Sequence, residues 1–306
     1  LNRLDLFVIA GLPGVKYSFP HIMGTDGAGT VAAVGPGATR FRPGDRVMIN
    51  PGISCGRCEW CEAGDEPLCL TYGVLGEHRN GTLAEFVVVP ERNLAPVPVE
   101  MPMSQAAAFP LATLTAWRML VNRAGLRPGE KVLIWGIGGG VAVAALKIAK
   151  LNGATVIVTS SSDEKLERAR ELGADIVLNH AKTDVPKEIK SLTSKRGVEV
   201  VVDNVGEQTW EKSLRCLARK GRLVTCGATT GPMCVTDVRK LFWYQWSILG
   251  STMGSHEEYR AVAEQAARGR LWPEVDTVVP LTEARRAFER LERAEQLGKI
   301  VIEVTG

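Results

Sequence analysis

The chain has 306 residues, of which 45% are hydrophobic and 23% are charged, and 37 Lys and Arg against 34 Asp and Glu give a net charge of +3. This composition excludes an intrinsically disordered chain, and the length suits about two domains of roughly 150 residues. The two signs of charge are interspersed, so we predict no surface for nucleic acid or for an anionic membrane. The longest nearly apolar run, Val132–Leu146, is too short to span a bilayer, and no export signal opens the chain. We therefore expect a cytoplasmic protein.

The first hundred residues are rich in glycine and proline and contain short β-like runs. Turn signals such as Gly35-Pro36-Gly37 bound three predicted strands, which are Gly29–Val34, Asp45–Ile49 and Leu83–Val89. This part of the chain is therefore predicted to form an irregular all-β domain.

From Ser104 onward, predicted helices and strands alternate. The predicted helices are Ser104–Arg123, Val141–Leu151, Asp163–Leu172 with Ser162 as its N-cap, Glu257–Arg268 and Thr282–Ala294. The predicted strands are Lys131–Trp135, Thr155–Thr159, Glu199–Asp203, Arg222–Cys226, Ser247–Gly250 and Lys299–Glu303. Such alternation is typical of a parallel sheet that is covered by helices on both faces.

Four of the seven cysteines, Cys55, Cys58, Cys61 and Cys69, lie within fifteen residues. An odd total in a chain of this length, without an export signal, is not typical of a disulfide framework. The spacing C-x2-C-x2-C-x7-C instead predicts four thiolates that close a tetrahedral shell around Zn2+ and leave no position for a substrate. We therefore expect one structural zinc ion in a lobe formed by residues 51–70.

A cluster of glycines, from Gly136 to Gly140, lies between a predicted strand and a predicted helix. Its spacing departs from G-x-G-x-x-G, because Val141 stands at the sixth place. In this position glycines let the backbone approach a pyrophosphate at the helix N-terminus. The cluster predicts a dinucleotide site at Gly136, Gly139, Gly140 and Val141, and the alternative is a tight turn that serves packing alone.

The next predicted strand ends in Thr159-Ser160-Ser161-Ser162, where the adenosine ribose of a dinucleotide would lie. An acidic residue there would bind a free 2′-hydroxyl and repel a 2′-phosphate. This chain has hydroxyls instead, and Lys165 follows one helical turn later. The pattern favours NADP(H) over NAD(H), with the alternative that Ser162 only caps a helix and Lys165 is solvated.

The cysteine lobe and the glycine turn, at this separation, resemble the medium-chain dehydrogenase/reductase superfamily, which includes zinc alcohol dehydrogenases and quinone oxidoreductases. The resemblance starts after the family's first strands and extends over most of the chain. It is also carried by Pro20–Val31, Phe41–Val47, Gly81–Phe86, Leu114–Trp117, Glu171–Asp175 and Gly298-Lys299. The fold it implies is α/β. A Rossmann domain with a doubly wound parallel sheet covers residues 113–254, and a GroES-like all-β catalytic domain is formed by residues 1–112 and 255–306.

The chain departs from the zinc alcohol dehydrogenases at the three positions that supply their catalytic-zinc ligands. Asn2, Thr25 and Leu111 stand where the resemblance implies a cysteine, a histidine and a second cysteine. An amide, a hydroxyl and an alkyl group do not hold Zn2+. We therefore expect no catalytic metal, and the donors best placed to stabilise a developing oxyanion are Asn2 and Thr115, with the alternative that Asn2 only fixes the local backbone.

The resemblance also implies further contacts with the cofactor. It places Thr115 beside the nicotinamide together with the ends of two late strands, Asn204 and Val205 beside the adenosine, His180 near the 2′-phosphate and Lys299 near the pyrophosphate. The late strand ends are Cys226, Gly227, Ala228, Leu249, Gly250 and Ser251. The alternative for this set is ordinary architecture at the ends of sheet strands.

These observations predict an NADPH-dependent reductase that transfers hydride to a quinone or to an α,β-unsaturated carbonyl compound. The alternatives are a zinc-type alcohol dehydrogenase and a cofactor-binding protein with little turnover. The apolar stretch Leu241–Trp246 beside the last predicted sheet strands indicates association through the sheet edge, and we expect a homodimer or homotetramer with a small-molecule substrate.

Overall fold

The computed structural model describes residues 1–304, so the last two positions of the predicted catalytic domain lie outside the described residues. The chain forms two compact units. Unit 1 contains Leu1–Leu114 and the residues from Met253 onward, and unit 2 contains Thr115–Thr252. The observed divisions lie two residues from the predicted ones at each crossing.

The first part of unit 1 has short elements joined by long irregular segments. Its strands are β1 (Ala28–Thr30), β2 (Arg46–Ile49), β3 (Gly52–Ile53), β4 (Gly73–Val74) and β5 (Leu94–Pro96). Its helices are α1 (Arg3–Ala10), α2 (Glu59–Glu62), α3 (Met103–Ala108) and α4 (Pro110–Trp117), the last of which runs into unit 2. Strands β1, β2 and β5 form an antiparallel sheet, and β3 pairs with β4 as a separate antiparallel ribbon.

Unit 2 alternates strands with helices, after a π-helical turn at Arg118–Arg123. Its strands are β6 (Lys131–Ile134), β7 (Thr155–Ser160), β8 (Ile176–Asn179), β9 (Val198–Val202), β10 (Leu217–Thr225) and β11 (Ser247–Gly250). Its helices are α5 (Gly140–Leu151), α6 (Asp163–Glu171), α7 (Val185–Leu192), α8 (Trp210–Cys216) and α9 (Val238–Tyr244).

The six strands of unit 2 form one parallel sheet in the order β11-β10-β9-β6-β7-β8. This is the doubly wound order with a switch point between β6 and β9. The central strands are apolar on both faces, and Leu133, Ile157 and Val201 are fully buried because helices cover each face. The predicted α/β fold with a parallel Rossmann sheet is confirmed.

The chain then returns to unit 1 with four more elements, which are α10 (His256–Ala267), β12 (Val275–Pro280), α11 (Ala284–Glu292) and β13 (Lys299–Glu303). Strands β12 and β13 form a parallel pair. Ala287, Leu291 and Ile300 bury their side chains together beneath this pair. No helix within residues 1–304 is both long enough and apolar enough to cross a membrane.

The predicted strand Leu83–Val89 is wrong. Its side chains alternate as in a strand, since Val87 and Val89 pack against the buried core of unit 1 while Phe86 and Val88 are exposed. The segment is nevertheless irregular, because none of the described strands pairs with it. The alternating pattern therefore predicted which side chains are buried, but it did not indicate whether the segment pairs with another strand.

Three glycines in unit 1, Gly24, Gly76 and Gly81, allow an unusually close approach of backbone segments. The N–H groups of Gly81, Thr82 and Leu83 donate to the carbonyl oxygens of Ile22, Gly24 and Met23, respectively. Gly24 has a φ of +94°, a conformation that L side chains rarely adopt. This close pairing sets the position of Thr25 and Asp26, which follow directly.

We predict that Gly81→Ala destabilises unit 1. A Cβ on Gly81 would overlap the carbonyl oxygen of Gly24 and lie 2.5 Å from that of Met23. Because backbone atoms cannot move aside cheaply, the expected cost is about 1–3 kcal/mol of unfolding free energy. Thermal unfolding should show a lower Tm for this variant.

Gly29→Ala is the matched control, because no atom lies within 4 Å of a Cβ at Gly29. This control should change the unfolding free energy by less than about 1 kcal/mol. Equal melting temperatures for the two variants would show that the close approach at Gly81 is relaxed in solution.

Candidate functional site

The four clustered cysteines come together at the surface of unit 1. Cys58 is the N-cap of α2, Cys61 lies inside that helix, and Cys69 follows a 3-10 turn at Glu66–Leu68. Their sulfur atoms and that of Cys55 all lie within 4.8 Å of one another. A tetrahedral Zn2+ with Zn–S bonds of 2.3 Å separates its sulfur ligands by about 3.8 Å. The four thiols therefore fit a single tetrahedral ion with only a small contraction.

Backbone N–H groups also point at these sulfur atoms. The N–H of Cys55 donates to Cys69 Sγ at 3.4 Å, and the N–H of Gly56 donates to Cys61 Sγ at 3.3 Å. The hydrogen bond from Cys55 lowers the pKa of the Cys69 thiol to about 6. Thiolate character is what a metal ion requires of cysteine. Within residues 1–304, this is the one group of three or more Cys, His, Asp or Glu side chains placed to share an ion.

The glycine turn of unit 2 leaves the N-terminus of α5 open. Gly136 follows β6 with a φ of +68°, and Gly139 caps α5 without a side chain. A Cβ on Gly139 would meet no atom within 4 Å, and one on Gly136 would meet only Val205 at 3.9 Å. The first N–H groups of α5, from Gly140 and Val141 onward, are thus reachable by an anionic group. This cradle fits the pyrophosphate of a dinucleotide.

The turn after β9 is held by a buried carboxylate. Asp203 is fully buried, and its Oδ1 accepts from the N–H groups of Val205 and Gly206 at 2.9 and 3.1 Å. The hydroxyls of Thr209 and Ser213 complete its hydrogen bonds, at 2.8 and 2.6 Å. Because the whole carboxylate is satisfied by its own loop, its function is to fix this turn, which places Val205 against the glycine turn.

At the carboxyl end of β7, the predicted serines form a corner. Ser160 Oγ accepts from the N–H of Ser162, and Ser162 Oγ accepts from the N–H of Lys165, so the predicted N-cap at Ser162 is confirmed. Ser161 is exposed beside them. The nearest carboxylate, Asp163, is already paired.

Asn179, at the end of β8, and Lys182, just after it, bind the carboxylate of Asp163. Lys182 Nζ binds Asp163 at 2.5 Å and Asn179 Nδ2 donates to it at 2.7 Å, and the bond from Lys182 lowers the pKa of Asp163. His180, which follows β8, contacts Thr159 Oγ1 through Nδ1 at 3.2 Å. Burial, with the nearby Lys212 charge, lowers the pKa of His180, so the ring is neutral at pH 7. Its contact with a 2′-phosphate stays a prediction.

Two buried hydroxyls at predicted nicotinamide contacts have no hydrogen-bond partner in the described residues. Ser251 follows β11, Thr115 lies in α4, and each Oγ is buried without a hydrogen-bond partner among the described residues. Buried hydroxyls without a protein partner usually bind an ordered water or a ligand. The remaining predicted contacts, Gly227, Ala228, Leu249 and Gly250, lie at the ends of β10 and β11, as predicted from their order in the chain.

Asn204 and Cys226 bind each other across neighbouring strand ends. Asn204 Oδ1 accepts from the N–H and from the Sγ of Cys226, at 3.1 and 3.2 Å. Burial raises the pKa of the Cys226 thiol to about 12, so this thiol is not a nucleophile. Their contact with a cofactor stays a prediction.

The sheet of unit 2 ends at β11, where α9 leaves large apolar side chains in solvent. Phe242 and Trp243 are about two-thirds exposed, at 66% and 67%. This exposed face agrees in position with the sheet-edge association suggested by the sequence, and the homodimer or homotetramer stays a prediction.

In unit 1, a second polar cluster is buried around Asn2. Lys299 Nζ binds Asp26 Oδ2 at 2.7 Å and also donates to Asn2 Oδ1. The Asn2 Nδ2 group donates to Thr25 Oγ1 at 2.8 Å and to Asp26 Oδ2 at 2.9 Å. All four side chains are less than a tenth exposed, with Lys299 at 3% and Thr25 at 1%.

This cluster brings together the three positions that the resemblance assigned to catalytic-zinc ligands. Asn2 contacts Thr25 directly, and the N–H of Leu111 donates to Asp26 Oδ1 at 2.7 Å. The donor set is an amide, a hydroxyl and an alkyl side chain, with an ammonium beside it. These groups do not fit a catalytic Zn2+, because no thiolate or imidazole stands at any of the three positions.

One sequence prediction needs revision here. Both amide hydrogens of Asn2 are already donated, so Asn2 cannot itself bind an oxyanion without breaking one of these bonds. Lys299, predicted near the pyrophosphate, has Asp26 and Asn2 as its described partners, and its contact with a cofactor stays a prediction. Asp26 is a partner in this cluster that the sequence did not predict. The available signal was its position directly after Thr25, one of the three ligand positions.

Comparison with known families agrees with this architecture. Residues 1–99 match the alcohol dehydrogenase GroES-like domain, and residues 140–268 match the zinc-binding dehydrogenase domain.

Individual proteins are similar over nearly the whole chain. A solved structure of an NAD-dependent alcohol dehydrogenase superposes with a TM-score of 0.95 at 46% identity and covers 100% of this chain and 89% of that one. An NAD-dependent alcohol dehydrogenase of Sulfolobus acidocaldarius is 32% identical over 95% of this chain and 84% of its own length. An acryloyl-coenzyme A reductase of Metallosphaera sedula is 31% identical over 97% of this chain and 87% of its own length.

The chain therefore belongs to the medium-chain dehydrogenase/reductase superfamily and is an NAD(P)H-dependent oxidoreductase with a GroES-like domain and a Rossmann-like domain.

We predict that the purified protein contains about one zinc ion per chain, bound by the four clustered cysteines. Cys58→Ser should remove most of this metal and lower the Tm, because one hydroxyl cannot replace a thiolate in the closed shell. Metal analysis by mass spectrometry after dialysis measures the stoichiometry. Cys216→Ser, a buried cysteine of unit 2, is the matched control and should keep the metal. Two zinc ions per chain would contradict the assignment of a single, structural site.

Proposed function

We propose that this oxidoreductase transfers hydride from NADPH to a quinone or to an α,β-unsaturated carbonyl compound without a catalytic metal ion. The observation that carries the proposal is the donor set of Asn2, Thr25 and Leu111, which cannot ligate Zn2+. Oxidation of an alcohol needs an alkoxide, which a Lewis acid usually supplies at neutral pH. An acceptor that is already electrophilic needs only donors for the charge that develops on its oxygen.

When bound, NADPH supplies a hydride to the β-carbon of an enone, and the electron pair of the double bond passes to the carbonyl oxygen as an enolate that solvent protonates at the α-carbon. The residues of this chain hold and orient the two reactants. The open N-terminus of α5 binds the pyrophosphate, and the Asp203 carboxylate keeps the adjoining turn in place. The unpartnered hydroxyl of Thr115 is a donor for the nicotinamide or for the developing oxyanion.

The similarity to an acryloyl-coenzyme A reductase supports this choice, since that protein's name states reduction of an activated double bond. Other relatives are named alcohol dehydrogenases, so oxidation of alcohols is the second candidate. Zinc-dependent oxidation of an alcohol would require metal ligands in the cluster around Asn2, whereas reduction of an activated acceptor would require only hydrogen-bond donors.

Initial rates with a panel of acceptors should distinguish these functions. We predict NADPH oxidation with 1,4-naphthoquinone or cyclohex-2-enone, no ethanol oxidation, and no loss of rate after treatment with a chelator at a temperature where the fold persists. Rates are followed by the absorbance of NADPH. Rapid ethanol oxidation that a chelator abolishes would contradict the proposal, and quenched NADPH fluorescence without consumption would indicate a cofactor-binding protein.

The proposed preference for NADPH depends on the corner after β7. Three hydroxyls stand at the strand end, and the nearest carboxylate, Asp163, is bound by Lys182 and Asn179. The Lys182 charge and these two hydrogen bonds make this carboxylate a weaker acceptor for a ribose 2′-hydroxyl. Lys165 is the third residue of α6, in the helical turn that follows this corner, and we propose that its ammonium binds the 2′-phosphate. Since some relatives are named NAD-dependent, the cofactor preference must be measured.

We predict that Lys165→Met raises the KM for NADPH about tenfold or more and leaves the KM for NADH within about twofold. The physical reason is loss of a charge-assisted hydrogen bond to the 2′-phosphate, worth roughly 1.5–3 kcal/mol. Steady-state kinetics with both cofactors measures the two constants. Lys187→Met, in α7, is the matched control, because that lysine is exposed and pairs with Asp184. A wild-type protein that uses NADH better than NADPH would reverse the proposed preference.

A further inference from the structure

The cluster around Asn2 forms a chain of hydrogen bonds with one direction. An ammonium can only donate, so Asn2 must present its oxygen to Lys299 and its amide group to Thr25 and Asp26. This requirement fixes the orientation of the Asn2 amide. It also makes Thr25 Oγ1 an acceptor of the Asn2 hydrogen bond.

The Thr25 hydroxyl must then donate its own hydrogen elsewhere. Asn2 is the one described partner of this oxygen, and no acceptor for the hydroxyl hydrogen exists within residues 1–304. Thr25 is only 1% exposed, so bulk water does not take the hydrogen. A buried donor without an acceptor is costly, and such groups in folded proteins usually have a partner that is absent from the protein chain itself.

We propose that the Thr25 hydroxyl donates to the carbonyl oxygen of the acceptor substrate. In this assignment Thr25 is the catalytic residue, whereas Asn2 and Lys299 are positioning residues that act through it. The inference rests on the proposed reduction of a carbonyl-activated acceptor, and it moves the oxyanion donor in unit 1 from Asn2 to Thr25.

The charge distribution of the cluster favours this assignment. The ammonium of Lys299 polarises the Asn2 amide, which in turn makes the Thr25 hydroxyl a stronger donor. Asp26 balances the charge of the Lys299 ammonium and accepts a hydrogen bond from the Leu111 N–H. This pairing avoids the free-energy cost of an unpaired buried charge. A donor that is fixed before the reaction stabilises an enolate or hydroquinone oxygen more than a neutral carbonyl oxygen.

The test compares Thr25→Val, which keeps the shape and removes the hydroxyl, with Thr25→Ser, which keeps the hydroxyl. With cyclohex-2-enone and NADPH, we expect Thr25→Val to lower kcat about 100-fold and Thr25→Ser to lower it less than fivefold. The dissociation constant for NADPH, measured by fluorescence, should change in neither variant. Thr193→Val is the matched control, because it removes a buried hydroxyl with two hydrogen bonds at the end of α7, and its kcat should equal that of the wild type.

The role of Asn2 has its own readout. If Asn2 acts only through Thr25, the single variant Asn2→Ala should have a lowered kcat. Adding Asn2→Ala to Thr25→Val should then have no further effect on kcat. A merely structural role would instead give multiplied effects in the double variant.

A second measurement does not depend on turnover. The infrared stretching band of 13C-labelled cyclohexanone bound to the protein should lie at lower wavenumber in the wild type than in Thr25→Val, with or without NADP+. If the wild type shows this lower wavenumber but reduces none of the acceptors, the Thr25 contact would be upheld and the proposed function would be rejected. Identical bands in the two proteins, no binding of the ketone, or equal kcat values for Thr25→Val and wild type would overturn the Thr25 assignment and make an internal water the acceptor.

Discussion

The buried ion pair between Lys299 and Asp26 is the interaction on which the organisation of unit 1 depends. It joins residues separated by 273 positions in the chain, and its ammonium also binds Asn2 at the opposite end of the sequence. Removing one partner of such a pair leaves a buried charge and costs about 3–5 kcal/mol. The pair therefore determines which side chains can surround it, and here every neighbour, including the Leu111 N–H, is oriented to satisfy it. A metal ion at the same place would add positive charge beside a fixed ammonium.

In unit 2 the corresponding constraint is geometric. A parallel sheet brings the carboxyl ends of all its strands to one edge, so residues from Gly136 to Ser251 lie at the same edge although they are far apart in the chain. The turns there are set by groups that do not touch a ligand themselves, of which the fully satisfied Asp203 is the clearest case. Rigid support of this kind leaves the open helix N-terminus and the unpartnered hydroxyls as the groups available for binding.

Local sequence pattern was sufficient for features that are local. Two apolar runs late in the chain predicted β11 of unit 2 and β13 of unit 1 with their observed bounds, and the spacing of the four cysteines predicted a cluster that the structure shows. The pattern failed where partners are distant. Leu83–Val89 alternates like a strand, but a ladder requires a second strand that no local pattern can report. The partners of the Asn2 side chain lie 23, 24 and 297 residues away, so the sequence did not show that both amide hydrogens are used in the fold.

Under the proposed preference for NADPH, the corner after β7 makes the choice of cofactor depend on Lys182, which binds the carboxylate of Asp163. The chain already has a carboxylate, Asp163, one position beyond its three serines, and a lysine from the following strand connection neutralises it. Loss of Lys182 would leave this carboxylate bound by Asn179 alone and its negative charge unbalanced, without any change among the serines. On this proposal, a single substitution outside the cofactor contacts would change the preference between NADPH and NADH. A comparison of contact residues alone would overlook such a substitution.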